Sequence, residues 1–281
     1  MNQQLIAIEK FRRLHDSGCF LLPNPWDEGS TIYLEHLGFE AVATTSAGFG
    51  FSRGLPDGPG AVSRDPMLDH CREIAAATTL PVNADFQNGY ADEPDGVATS
   101  VGLCIATGVA GLSIEDSTGR SEQLLYDFDL AVERIKAARR AVDASGVPVV
   151  LTARCEAWLV GDPKPLRTSL ERLVAFAEAG ADCLYAPGVV ELEEIEEIVK
   201  AVSPKPVNVL ISTNNCHLTA TQLEDLGVRR ISIGGALARA AWGGFVNAAR
   251  EMKEHGAFTS FRDATPFNEL NDLFSTRLKD R

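Results

Sequence analysis

The chain has 281 residues, 45% hydrophobic and 23% charged, with 26 Lys and Arg against 39 Asp and Glu for a formal charge of −13. Such an acidic surface repels nucleic acid and anionic membranes, so neither is expected as a partner, and an anionic substrate would need cations placed locally. No apolar run of about 18 residues exists to span a bilayer, and the opening MNQQLIAIEKFRRLHDSG has neither the apolar stretch nor the cleavage site of a secretory leader.

That opening reads as an amphipathic helix, and the protein is expected to be cytoplasmic. Short apolar, β-rich runs then alternate with longer helical stretches. The predicted strands cover 19–22, 41–44, 81–85, 110–114, 148–153, 182–185, 206–211 and 230–233. Several are continuous Val/Ile/Leu runs, as parallel strands buried on both faces require. Between them, 28–37 and 129–144 have amphipathic helical spacing. A helix over 168–179 stops at Gly180, and one over 191–202 stops before Pro204. Eight strand–helix alternations predict one α/β domain over 1–281, a (β/α)8 barrel, since about 250 residues suffice for that fold. Long loops at 46–63, 116–128 and 156–167 all follow strands and so belong to the catalytic face. The tail, PFNELNDLFSTRLKDR at 266–281, is a surplus amphipathic helix for packing on its own barrel or on a neighbouring subunit. The cysteines at 19, 71, 104, 155, 183 and 216 form no C-x-x-C pair. They read as reduced, mostly buried thiols rather than a disulfide framework or zinc site.

In such a barrel, polar residues at the C-terminal strand ends face the active site. Strand one ends in Pro-Asn-Pro-Trp-Asp (23–27), strand two in Thr-Thr-Ser-Ala-Gly (44–48), strand three at Asp85, strand four at Glu115-Asp116, and strand five at Arg154 with Glu156 close behind. A lone acid at a strand end often caps the next helix. Several acids converging on one mouth repel one another unless a cation lies among them. Oxygen ligands without histidine suit Mg2+, or Mn2+ in its place, better than zinc. The turn at Ser46, Ala47 and Gly48 reads equally as an oxyanion or carboxylate clamp or as a plain Ser/Gly turn. Arg154 suits a substrate carboxylate. Strand alternation turns Cys155 away from it, toward packing. Trp26 reads as a pocket wall and Asn208 as barrel interior. His217 reads as a surface or capping residue, and Asp116 as a support for Glu115 or a loop cap.

These motifs in this order resemble the isocitrate lyase/phosphoenolpyruvate mutase superfamily. The resemblance rests on P-N-P-W-D (23–27), T-T-S-A-G (44–48), G-L-P-D (54–57) and A-D-F-Q-N-G-Y (84–90). It continues through G-L-S-I-E-D (111–116), T-A-R-C-E-A (152–157) and R-I-S-I-G-G (230–235). It implies Mg2+ bound directly by Asp85, with Asp57 and Glu115 acting through metal-bound waters, and a small 2-oxo acid chelating the ion. Ser46, Ala47 and Gly48 would receive the substrate carboxylate or developing enolate oxygen, with Arg154 balancing its charge. It also implies a homo-oligomer, dimer or tetramer, in which the last helix is exchanged between subunits.

Two features depart from the family pattern. Gln87 stands where a second metal-motif acid is usual; it can still hold a metal-bound water but lacks the charge. The loop STGRSEQLL (117–125) lacks the lyases' K-K-C-G-H cysteine and the mutases' lysine, for which Arg120 and Ser121 are poor substitutes. Tyr90, Glu156 and a metal-bound water are then the candidate proton donors, although Tyr90 also reads as a rim aromatic and Glu156 as a partner for Arg154. The expected function is a Mg2+-dependent C–C lyase or decarboxylase acting on a 2-oxo acid or its aldol adduct. Phosphonomutase or phosphonopyruvate hydrolase chemistry is the alternative, and an inactive barrel serving as a scaffold is a third reading. A Schiff-base aldolase is disfavoured, because no lysine stands at a strand end.

Overall fold

The computed structural model describes residues 3–58 and 60–279. Each expected strand span contains or overlaps an observed strand: β1 Phe20–Leu22, β2 Val42–Ala43, β3 Val82–Asp85, β4 Gly111–Glu115, β5 Val150–Arg154, β6 Cys183–Tyr185, β7 Val207–Leu210 and β8 Arg230–Ser232. All pair in parallel in the order β1-β8-β7-β6-β5-β4-β3-β2. The β1 and β2 ends meet through a backbone bond from Ala43 N–H to Pro23 O, 3.0 Å, giving a nearly closed (β/α)8 barrel. Register decides which strand-end residues become neighbours. Glu115 lies beside Arg154, and Arg154 beside Tyr185.

The helices are α1 Gln3–Asp16, α2 Glu28–His36, α3 Ser46–Ser52, α4 Arg64–Ala77, α5 Pro94–Ile105, α6 Phe128–Ser145, α7 Pro165–Glu178, α8 Leu192–Val202, α9 Ala220–Asp225, α10 Ala236–His255 and α11 Phe267–Lys279. Two of the expected long loops are shorter than their sequence implied. The first opens with α3, because Thr45 caps its N-terminus by accepting the Gly48 N–H at 3.1 Å. The third ends early, because Pro165 opens α7, where a missing N–H costs nothing. Helices α4, α5, α9 and α10 add to the spans read from periodicity.

The barrel's interior near its N-terminal rim holds a polar network centred on Arg230. Arg230 donates to Asn208 Oδ1 at 2.9 Å and Thr152 Oγ1 at 3.0 Å, and Asn208 Nδ2 donates to Ser232 Oγ at 2.9 Å. His15 donates through Nδ1 to Phe11 O at 2.7 Å, so its Nε2 accepts from Arg230 at 3.3 Å. Asn208 is therefore interior, as its mid-strand position implied. Cys155 is buried, accepting from Ser169 Oγ at 3.5 Å, and His217 is exposed.

The chain divides into two compact units, Met1–Gly235 and Ala236–Arg281. The first holds the eight strands. The second comprises α10, a 3-10 turn at Thr259–Asp263 and α11. Within it Glu251 accepts the backbone N–H groups of Thr259 and Ser260, at 3.2 and 2.8 Å, pinning the turn to α10. The surplus helix expected over 266–281 is α11; residues 280 and 281 lie outside the described residues.

Candidate active site

The site is built outward from Asp85, the last residue of β3. Its N–H donates to Thr44 Oγ1 at 2.8 Å, which ties the end of β3 to the end of β2. Its Oδ2 accepts the Ser46 N–H and Ser46 Oγ, both at 2.9 Å, and its Oδ1 accepts Arg154 NH1 at 2.8 Å. The first residue of α3 thus holds the carboxylate on one side and the end of β5 holds it on the other.

Arg154 divides its guanidinium among three acids. Besides Asp85 it reaches Glu115 Oε2 through NH2 at 3.3 Å and Glu156 Oε1 through Nε at 2.9 Å. It also lies over the Tyr185 ring, 4.9 Å from the centroid. Arg154 is only 13% exposed and Glu156 6%. Burial works against the Arg154 charge, but Glu156, Glu115, Tyr185 and Asp85 outweigh it and hold the guanidinium protonated. The acids show the reverse. Burial, then Glu156, raises the Glu115 pKa well above the carboxylate range, although Arg154 opposes the shift. Burial likewise raises Glu156 against the pull of Arg154. Asp57 is solvent-exposed on the loop after α3 but faces the same cavity, and desolvation followed by Asp85 raises its pKa. Asp116 turns away, accepting Glu156 N–H at 2.8 Å and Arg172 at 3.1 Å, so it anchors the β4 loop to β5 and α7.

A cavity of about 840 Å3 opens over this cluster. It is lined by Ser46, Ala47, Asp57, Asp85, Gln87 and Tyr90, and further round by Glu115, Arg154 and Glu156. Trp26 and Gly48 lie outside the lining. The half-buried Trp26 donates its backbone N–H to Ser30 Oγ at the start of α2, 3.1 Å. The Gly48 N–H is taken up by Thr45 in the α3 cap. Gln87 fills its place with a left-handed backbone (φ 46°), and its carbonyl accepts Glu115 N–H at 3.0 Å. Tyr90 is also left-handed (φ 55°). It packs edge-on to Phe86, and its buried hydroxyl has no hydrogen-bond partner. Burial, then Asp85, pushes that phenol's pKa upward.

Sequence reasoning missed Tyr185 and Asn88, both cavity-lining. Tyr185 ends β6, so the strand-end rule applied to strand six would have found it. Asn88 lies in a loop whose course local pattern does not specify.

Among the described residues no three His, Cys, Asp or Glu side chains stand together closely enough to ligate one ion directly. The donor set fits a different arrangement. Asp57, Asp85, Glu115 and Glu156 stand around Arg154, and with Asp92 and Arg64 the cavity wall carries five acids against two arginines, a surplus of negative charge that a divalent cation offsets. A carboxylate offers about four acceptor positions. The two bonds from Ser46 to Oδ2 and the one from Arg154 to Oδ1 leave one acceptor position on Asp85 Oδ1 for an ion, with water carrying the remaining contacts as hard cations of the Mg2+ type allow.

A (β/α)8 barrel with an acid-rich, arginine-bridged mouth at its C-terminal strand ends is an enzyme architecture. The phosphoenolpyruvate phosphomutase family matches residues 11–253, and the chain belongs to that family, within the superfamily of isocitrate lyases and phosphoenolpyruvate mutases. A solved structure of a putative lyase/mutase from Burkholderia cenocepacia is 47% identical, with a TM-score of 0.94 over 98% of each chain. An uncharacterised Mycobacterium tuberculosis protein is 32% identical over 87% of this chain and 89% of its own length. The 2-methylisocitrate lyase of Escherichia coli is 32% identical over 64% of this chain and 63% of its own.

Proposed function

We propose that the protein is a Mg2+-dependent lyase that cleaves a C–C bond in a small 2-oxo acid or its aldol adduct. The observation that carries this reading is the Arg154 guanidinium shared among Asp85, Glu115 and Glu156 beneath an open cavity. This cluster suits a bound cation and an anionic substrate together. When bound, the cation supplies electrostatic stabilisation of the negative charge that develops on the substrate's oxygens.

The chain's own residues supply the rest. Arg154 neutralises a substrate carboxylate, and Asp85, held by Ser46, keeps Arg154 aimed at the cavity. In cleavage of an adduct, a base removes the hydroxyl proton, the C–C bond breaks with its electron pair on the departing carbon, and an acid returns a proton there. Glu156, with its raised pKa, suits the first transfer. Tyr90 suits the second, because it lines the cavity wall and its buried hydroxyl is committed to no hydrogen-bond partner, whereas the 117–125 loop has neither cysteine nor histidine. Phosphonopyruvate-type P–C chemistry is the second reading, favoured by the family match to phosphoenolpyruvate phosphomutase. We also propose a cytoplasmic homo-oligomer formed through the second unit, where Phe245, Phe258, Phe261 and Phe267 are exposed, the last by 80%.

Turnover of a panel of oxaloacetate, methylisocitrate, isocitrate, other 2-oxo acids and phosphonopyruvate, with Mg2+ or with chelator, tests the assignment. Cleavage of a carbon substrate that stops with chelator supports it. Turnover of phosphonopyruvate alone replaces it with the second reading.

A further inference from the structure

The loop between β3 and α5 carries Gln87, Asn88 and Tyr90 into the cavity wall. Among the described residues, Gln87 and Tyr90 are the non-glycine positions with left-handed backbone. L-residues adopt that conformation at a cost and hold it only where their surroundings over-determine it. Gly89 N–H donates to Phe86 O within the loop, and β4 holds Gln87 O through Glu115 N–H, both at 3.0 Å. The further constraint comes from α6.

Arg134 of α6 is 1% exposed, and among the described residues it forms no ion pair. It spends its guanidinium on backbone carbonyls of this one loop. NH1 donates to Ala91 O and to Asp92 O, the latter at 2.6 Å, and NH2 donates to Asn88 O. The guanidinium lies over the Tyr126 ring, 3.9 Å from the centroid. Tyr126 acts on the same loop, its hydroxyl accepting Asn88 Nδ2 at 3.1 Å and donating to Asp92 Oδ1. Asn88 Oδ1 then accepts the Tyr90 N–H at 3.0 Å. The path from Arg134 to Tyr90 is an unbroken run of hydrogen bonds. Burying a cation without an anionic partner is costly, and here every bond it makes constrains the loop that presents an unpartnered phenol.

We infer that Arg134 is a positioning residue that acts through the carbonyls of residues 88, 91 and 92 to hold Tyr90 in the cavity wall. The catalytic part of this inference rests on Tyr90 being the proton donor of the proposed lyase. The conformational part does not. Arg134→Ala should lower kcat by about tenfold to hundredfold, the scale of a small misplacement of a reacting group. KM and Mg2+-dependent oxalate affinity should stay within about twofold. Added guanidinium should restore part of the lost rate. In a Tyr90→Phe background, Arg134→Ala should have little further effect on kcat. Additive losses, or a KM and oxalate affinity that change as much as kcat, would overturn the inference.

A readout independent of activity separates the two parts. With fluorotyrosine in place of the four tyrosines, the Tyr90 resonance is assigned by its loss in Tyr90→Phe. It should shift and broaden in Arg134→Ala and sharpen again with guanidinium. An unmoved resonance overturns the positioning role. A moved resonance with kcat unchanged in Tyr90→Phe retains it and removes Tyr90 as the donor. Should Arg134→Ala fail to fold, Tyr126→Phe keeps the ring beneath Arg134 while removing the bonds to Asn88 and Asp92. The same resonance and kcat changes, in smaller measure, are expected there, and their absence likewise overturns the inference.

Discussion

Two buried arginines, one at each end of the barrel's strands, have opposite surroundings. Arg230 opens β8 and meets only neutral partners, Asn208, Thr152 and His15. Arg154 closes β5 and meets three carboxylates, with Asp57 and Asp92 lining the same cavity. At the first rim the arginine's partners are all neutral hydrogen-bonding groups, and the arrangement holds the barrel together. At the second, negative charge exceeds positive, a state that folding alone does not favour and that a cation and an anionic substrate complete. The contrast matches the general division of these barrels into a stability rim and a catalytic rim, and it appears here as a difference in charge balance. Titration separates the two ends as well. Burial and then Arg230 push His15 down to about 3, whereas burial and like charge push Glu115 and Glu156 upward.

Breaking the catalytic rim has the largest expected effect. Asp85→Ala should abolish Mg2+-dependent oxalate binding measured by calorimetry and lower kcat/KM by about a hundredfold to a thousandfold, the scale of losing a preorganised charged group. Unchanged oxalate binding would remove the proposed cation site. Breaking the other rim should act on stability alone. Arg230→Met leaves Asn208 and Thr152 without a buried donor and should cost about 2–4 kcal/mol in denaturant unfolding, with oxalate affinity unaffected. A loss of affinity at constant stability would contradict the division of roles.

Acid titration sharpens the contrast. The folded pKa of His15, about 3, lies below the ordinary value of 6.5, so between these limits the unfolded chain binds the proton and the folded chain does not. His15 should therefore contribute a fall in stability as pH drops through that window, of at most about 1.4 kcal/mol per pH unit. His15→Gln should flatten that part of the stability profile. The smallest effect expected is a gain. Glu156→Gln keeps an acceptor for Arg154 and removes one surplus charge, so the metal-free protein should become more stable by about 1 kcal/mol. Its turnover should fall if Glu156 is the base. Reduced stability would show that the carboxylate serves the fold.

The sequence alone was enough for the architecture, because strand identity is local information. Runs such as Val-Val-Leu-Thr-Ala announce a strand buried on both faces, and the polar residue that closes such a run stands at a strand end. Asp85, Glu115, Arg154 and Glu156 were legible for that reason, and the observed strands differ from expectation by a residue or two at their ends. Tertiary structure decided which way side chains face and what they meet. Gly48 appeared available in a Ser/Gly turn until Thr45 took its N–H to start α3. Trp26 belongs to the strand-one motif but falls outside the cavity. Arg134 sits in a helix whose charged positions look solvent-facing, and no spacing rule shows that its guanidinium reaches the carbonyls of a loop more than forty residues earlier. The strand ends bring the charges to one mouth. Long-range hydrogen bonds, which satisfy buried polar groups wherever the fold happens to place them, decide how those charges and the phenol beside them are held.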